Sequence, residues 1–105
     1  MTSPLGPVDF LILLTLVDTK RHGYGIRQDI QELTESAIVL DAGNLYRSIR
    51  RLMEAGLVER SDEDARRRYY RLTARGRRIA AVEARRMKEL LTHDKVRKLL
   101  AESAH

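Results

Sequence analysis

Residues 41–73 join a helical apolar pattern to two segments of β character, and few small folds accommodate that order of elements. Asp41 is a favourable N-cap residue and Gly56 stands where a helix should end, so both ends of the helix are marked. The apolar positions between them follow helical spacing, which predicts one buried helix face. These positions are Leu45, Ile49, Leu52 and Met53.

The opposite face of this helix is predicted to carry arginine, amide and hydroxyl groups, with Glu54 as its only acid. Arginine and asparagine have paired donors and acceptors that match guanine and adenine edges in the major groove. The pattern predicts a helix that reads DNA; the alternative is an arginine-rich helix that contacts only solvent. The polar positions are Asn44, Arg47, Ser48 and Arg51, with Arg50 beside them.

The segment after this helix predicts a β-hairpin, the wing of a winged helix-turn-helix. Residues 57–60 begin a first strand, and the alternation over residues 68–72 returns as a second. Tyr69 and Tyr70 should point to opposite faces of that strand. We expect one tyrosine in the core and the other either half-exposed or bonded to a DNA phosphate.

The turn between the two strands carries acids first and arginines second. It is either neutralised internally, or it presents its arginines to phosphates or the minor groove, which is the preferred interpretation. The acids are Asp62, Glu63 and Asp64, and the arginines are Arg66, Arg67 and Arg68.

The positive charge is concentrated in the same part of the chain. Residues 42–78 carry eleven basic and five acidic side chains, whereas residues 1–41 carry three basic and six acidic ones. The chain has a net charge of +5. A basic patch confined to one region is the electrostatic signature of phosphate binding.

Two helices are predicted upstream. The first starts at Ser3-Pro4 or Gly6-Pro7 and ends near Asp18, with an apolar face formed by Phe10, Leu11, Leu14, Val17 and Val8. The second runs from about Tyr24 to Glu35; His22 should cap it or pack at the preceding turn, and Gly25 should pack closely against another helix. Residues 37–40 are interpreted as a short strand added to the wing.

The last predicted helix begins after Thr73, a reasonable N-cap, and Gly76 near its start permits a close approach to the hairpin. Its apolar stripe has little to pack against in one small domain, so we expect it to pair with a second copy of the chain. The stripe consists of Ile79, Val82, Met87, Leu90 and Leu91. For residues 95–104 a continuous helix and a separate short helix both remain open.

These elements predict a mainly α (α+β) fold: a winged helix-turn-helix with a two-stranded wing and a long C-terminal dimerisation helix. Residues 1–75 would form the DNA-binding domain, and residues 76–105 the dimerisation helix.

Other classes of protein fit the composition poorly. The chain has no cysteine, so a disulfide framework and a thiolate metal site are excluded. Its apolar runs fall short of the roughly 20 residues of a membrane span, and a signal peptide is not expected. Three histidines, without an H-E-x-x-H motif or a phosphate-binding glycine loop, do not suggest an enzyme or a cofactor. We expect a cytoplasmic protein.

Four short motifs, in order, resemble those of PadR-family transcriptional regulators, and together they span about residues 8–90. Asn44 stands where the family commonly has threonine, and Arg47 where it commonly has proline, so an operator known for the family does not transfer. The motifs are His22-Gly23-Tyr24-Gly25-Ile26; Gly43-Asn44-Leu45-Tyr46; Arg51-Leu52 with Glu54 and Gly56-Leu57-Val58; and Arg68-Tyr69-Tyr70 with Leu72-Thr73 and Gly76.

The resemblance implies a homodimeric, ligand-responsive repressor of the compact subgroup, binding an inverted-repeat operator. Arg47 and Arg51 are expected to contact bases, while Arg50 and the wing arginines contact phosphates. The implied DNA-binding residues are Asn44, Tyr46, Arg47, Ser48, Arg50 and Arg51 on the helix, and Arg66, Arg67, Arg68 and Tyr70 on the wing.

The resemblance also implies a small-molecule effector between the dimer helices. With no tryptophan and one phenylalanine, the chain offers little for an aromatic sandwich. The candidate pocket is lined by Phe10, Leu14, Met87 and Leu91; ordinary core and interface packing is the alternative. Two other functions stay open, a winged-helix module that binds protein and a regulator of another family such as the MarR-like proteins.

Overall fold

A computed structural model describes residues 5–61, 66 and 68–103, which form five helices and a three-stranded antiparallel sheet. The predicted winged helix-turn-helix is confirmed. The helices are α1 (Pro7–Thr15), α2 (Gly23–Leu33), α3 (Ala42–Glu54), α4 (Ala74–Leu91) and α5 (Asp94–Glu102). The strands are β1 (Arg21–His22), β2 (Val58–Ser61) and β3 (Tyr69–Leu72).

The core lies where α1, α2 and α3 meet, and the sheet closes it through Val58 and Tyr70. The predicted apolar face of α3 is buried as expected, with Met53 half-buried. The side chains without exposed surface are Ile12, Leu13, Ile26, Ile30 and Leu45.

The third strand of the sheet is β1, so the strand predicted over residues 37–40 is wrong. Arg21 pairs with Tyr70 and His22 pairs with Tyr69. After α2 the chain turns through Glu35 at φ 50° and Ser36 at φ 65°, both in left-handed conformation. The segment that follows bonds to α2 and its C-cap: the Ile38 N–H donates to Thr34 Oγ1 at 3.1 Å, and Arg27 Nε donates to the Leu40 carbonyl at 2.9 Å. Ile38 and Leu40 of that segment pack partly on the core, whereas Val39 is exposed.

The first helix ends at Thr15, earlier than predicted, and its buried face overlaps only part of the predicted one: Phe10 is buried, and Val8 and Leu11 pack partly on the core. Its last turn is closed by local bonds: Thr15 Oγ1 donates to the Ile12 carbonyl at 2.7 Å, and Arg21 Nε donates to the Thr15 carbonyl at 2.7 Å. Because α1 contacts α2, α3 and α4, its orientation depends on all three helices. The predicted face residues Leu14 and Val17 are consequently exposed.

The start of α4 is tied to the end of α3, as the predicted cap at Thr73 suggested. Thr73 Oγ1 accepts a hydrogen bond from the Gly76 N–H at 2.9 Å and donates to the Gly56 carbonyl at 2.6 Å. A Cβ on Gly76 would overlap the Leu57 carbonyl oxygen, so only glycine allows this approach.

Past its second turn, α4 leaves the body of the domain. Every residue from 84 to 103 except Val96 is exposed. The radius of gyration is 15.3 Å, against about 13 Å for a compact chain of this length. The question left open for residues 95–104 is answered by α5, a separate helix whose N-cap His93 accepts from the Lys95 N–H at 3.1 Å.

Candidate nucleic-acid interface

The first turn of α3 is held by its predicted N-cap. Asp41 Oδ1 accepts a hydrogen bond from the Asn44 N–H at 2.7 Å, and Asp41 Oδ2 accepts from Asn44 Nδ2 at 2.8 Å. Arg47 Nη1 donates to Asn44 Oδ1 at 3.2 Å. The polar end of the helix is therefore organised before any partner binds.

The outer face of α3 presents Arg47 and Arg50, both exposed, opposite its buried apolar face. Arg51 lies to one side, toward α1. Its Nη2 donates to Ser48 Oγ at 3.0 Å and to Asp9 Oδ1 at 3.4 Å, and its side chain is 62% exposed. Arg51 thus stays accessible to a partner while two neighbours restrict its conformation.

Ser48 does not lie on the exposed face, which corrects its predicted position. Its residue surface is 5% exposed because it sits on the border of the face of α3 that packs into the body. The hydroxyl accepts from Arg51, so any effect of Ser48 on DNA binding would act through that arginine.

Tyr46 links α3 to the start of α2. A Cβ on Gly23 would overlap the Tyr46 hydroxyl, so the two motifs that contain these residues pack against each other. The missing side chain of Gly23 makes room for the ring, and Tyr46 keeps 45% of its surface exposed. At the same end of α2, His22 Nδ1 accepts from the Gly25 N–H at 3.0 Å, as the predicted capping role requires.

A basic groove of about 580 Å³ separates α3 from the wing. Arginines from α3, from β2 and from the position just before β3 line it, together with apolar side chains. The sequence pointed to Arg50 and Arg68 but missed Arg60, which pairs with Tyr70 across the sheet. Strand alternation gives the signal, since Arg60 shares a strand face with buried Val58. The lining residues are Tyr46, Ile49, Arg50, Met53, Arg60, Arg68 and Tyr70.

Of the two wing tyrosines, Tyr70 is the buried one, which corrects its predicted contact with DNA. It is 4% exposed and belongs to the core cluster, because its strand face turns toward α3. Tyr69 points the other way and is half-buried. Its ring meets the His22 ring edge-on at 5.7 Å, and Lys20 Nζ lies 5.1 Å from its centre.

The wing tip is only partly described. Arg66 and Arg68 are exposed. Arg67 and the three acids Asp62, Glu63 and Asp64 lie outside the described residues. The preferred interpretation of this turn, with arginines toward DNA and acids away from it, stays a prediction.

The predicted dimer stripe is largely exposed in the single chain. Val82, Met87, Leu90 and Leu91 have 47, 38, 60 and 59% of their surface exposed, whereas Ile79 packs partly on the core. The four residues of the predicted effector pocket differ in exposure: Phe10 is buried, while Leu14, Met87 and Leu91 are exposed.

Within the described ranges, His, Asp and Glu form no group of three or more that could hold a metal ion. No helix in the same part of the chain is long and apolar enough to cross a membrane.

The chain is similar to known proteins over most of its length. A family model described as the transcriptional regulator PadR-like family matches residues 12–82. The structure of H. salinarum RosR covers 95% of this chain and 94% of its own, with 26% identity and a TM-score of 0.73. A PadR family transcriptional regulator from Eggerthella lenta covers 93% of this chain and 83% of its own, with 29% identity and a TM-score of 0.68. A Lysinibacillus sphaericus protein named "Uncharacterized protein X" is 30% identical over 76 residues, 69% of this chain and 70% of that relative.

Proposed function

The chain belongs to the PadR-like family of transcriptional regulators, and we propose that it is a homodimeric repressor that binds an inverted-repeat operator and releases it on binding a small molecule. Membership of this family makes it a DNA-binding transcriptional regulator and not an enzyme, as the sequence predicted. The observation that carries the proposal is the arginine face of α3 beside the basic groove.

Base reading falls to the outer face of α3 in this proposal. Arg47 and Arg51 contact base edges in the major groove, and Asn44 lies between them and the helix start. Arginine is suited to this role because its two parallel donors match the two acceptors of guanine.

Phosphate contacts come from the residues around the groove and on the wing. These contacts position the protein without specifying sequence. Among the residues predicted from the sequence, they involve Tyr46, Arg50, Arg66, Arg67 and Arg68. Arg60 joins them because it lines the groove.

Two copies of the chain associate through α4 in this proposal, with residues 1–75 as the DNA-binding domain and 76–105 as the dimerisation arm. The face of α4 that packs on the body at Gly76 and Ala80 continues as Met87, Leu90 and Leu91 beyond the body. Burial of apolar surface is worth roughly 25 cal/mol per Å², so an uncovered stripe of this kind favours pairing with a copy of itself.

Effector binding is assigned to the space between the arm and α1. Leu14 on α1 and Met87 and Leu91 on α4 are apolar and exposed, and α1 packs against α4. Buried Phe10 would form the inner wall. A small apolar molecule fits such a lining, and its binding would change the spacing of the two α3 helices and release the operator.

The test is selection of binding sites by the purified protein from a random duplex pool at moderate salt. We expect enrichment of an inverted repeat with half-sites centred about one helical turn apart, since each α3 would enter one major groove. A folded protein that enriches no sequence would contradict the proposal and favour a winged-helix module that binds protein.

A further inference from the structure

Three side chains at the start of α3 form one hydrogen-bonded chain. Asp41 accepts from the Asn44 amide, and Asn44 accepts from Arg47, at 2.8 and 3.2 Å. A carboxylate only accepts hydrogen bonds and a guanidinium only donates them. The amide between them consequently has one satisfied orientation, with Nδ2 toward Asp41 and Oδ1 toward Arg47.

This orientation bears on what Asn44 can recognise. An asparagine that reads adenine turns its amide outward, so that Nδ2 and Oδ1 meet the N7 acceptor and N6 donor of the base together. Asn44 is instead bonded to residues three positions before and after it, which holds its amide along the helix. The outward group at this end of the helix is the guanidinium of Arg47.

We propose that Asn44 is a positioning residue that Asp41 orients, and that it directs Arg47 toward a guanine. The inference rests on the proposed entry of α3 into the major groove. An arginine whose side chain is already restricted loses less conformational freedom on binding DNA.

The substitution Asp41→Asn tests this series of hydrogen bonds with almost no change in side-chain shape. Asparagine is as good an N-cap as aspartate, so α3 keeps its start. The new amide, however, donates where the carboxylate accepted, which turns the Asn44 amide around and sets its donor against the donors of Arg47. Asn44→Ala removes the connection altogether.

The measurement is the relative affinity for each base at each operator position, taken from selected binding sites for the wild type and each variant. Asp41→Asn and Asn44→Ala should relax the same guanine preference that Arg47→Ala removes, by about tenfold, the order of one bidentate pair. Asn44→Ala should add nothing in the Arg47→Ala background, since both act on one contact. Glu54→Gln, with the same change of charge on the same helix, should leave the preference unchanged.

Two results would overturn the inference while leaving the proposed function standing. Asn44→Ala could relax an A·T position that Arg47→Ala leaves unchanged, which would make Asn44 a direct reader of adenine. Asp41→Asn could also retain the full wild-type preference. A wild-type protein that selects no sequence would overturn both the inference and the proposed function.

Discussion

Two glycines serve as contact points between segments that are distant in the chain. Gly23 leaves room for the Tyr46 hydroxyl, and Gly76 leaves room for the Leu57 carbonyl. The two neighbours differ in how easily they can move, since a tyrosine hydroxyl ends a side chain whereas a carbonyl belongs to the backbone. Substitution should therefore be more costly at Gly76.

Gly76→Ala should lower the free energy of unfolding by about 1–3 kcal/mol, because its methyl group would overlap the Leu57 backbone. Urea denaturation followed by circular dichroism measures the change. Gly25→Ala is the matched control in another helix, where a Cβ meets nothing closer than 3.5 Å. The control should be neutral or stabilising by up to about 1 kcal/mol, and an equal loss in both variants would refute the contact.

The two wing tyrosines lie on opposite faces of β3, so replacing each with alanine should lower the stability of the fold by a different amount. Tyr70→Ala should destabilise the fold by about 3–5 kcal/mol, the range for a buried aromatic side chain, since Tyr70 lies in the core. Tyr69→Ala should cost clearly less because Tyr69 is only half-buried. Thermal unfolding measures the stability of the two variants. A larger loss of stability in Tyr69→Ala than in Tyr70→Ala would contradict the assignment of Tyr70 to the core.

Local chemistry explains which residues could be predicted from the sequence. The caps at Asp41, Thr73 and His22 were predicted, because each bonds to a backbone N–H three positions on. Ser48 and Tyr70 were misplaced because their burial depends on which distant elements cover them. Periodicity specifies a face, and only packing decides where that face ends.

At the scale of elements, α4 has two roles along its length. Its first turns pack on the body through Gly76, Ile79 and Ala80, whereas its later turns project into solvent with α5. The exposed leucines on these later turns have no cover within the described chain. The arm is therefore expected to gain stability mainly through association.

Leu90→Glu should convert the protein to a monomer, because a charge would be buried in the proposed dimer interface. Sedimentation equilibrium measures the mass, and circular dichroism confirms that the winged domain stays folded. Val39→Glu is the control, an equally exposed apolar residue in the connection between α2 and α3. A wild-type monomer, or loss of the dimer in both variants, would refute the assigned interface.

Long-range pairing explains which elements could not be predicted. Helix α3, the two wing strands and α4 follow from patterns within each segment. The third strand arises from two residues, Arg21 and His22, that pair with β3 almost fifty positions away, and a two-residue strand carries no periodic signal. The buried face of α1 likewise depends on three helices that follow it.

In the whole molecule, the positive charge and the exposed apolar stripe lie in two different regions. The basic excess lies in α3, the wing and the start of α4, and an exposed apolar stripe lies on the arm. The fold and the DNA-binding function were predictable because both depend on this division, which is visible in the sequence. The operator was not predictable, since it depends on how individual side chains of α3 meet base edges.

If a dimer neutralises roughly 6–10 phosphates, operator affinity should fall by about 10³–10⁵ between 50 and 200 mM salt. Arg68→Ala should weaken binding to all sequences alike and reduce the slope of log affinity against log salt by about one per lost contact. Fluorescence anisotropy over a salt series measures both. A slope near zero would contradict a phosphate-based interface.

Methylation of guanine N7 by dimethyl sulfate, on the selected operator with bound protein, tests the central claim most directly, because N7 lies in the major groove. We expect protected guanines in two half-sites about one turn apart, with loss of one protected guanine per half-site in Arg47→Ala. Binding that leaves every guanine N7 open would show that α3 does not enter the major groove and would contradict the account.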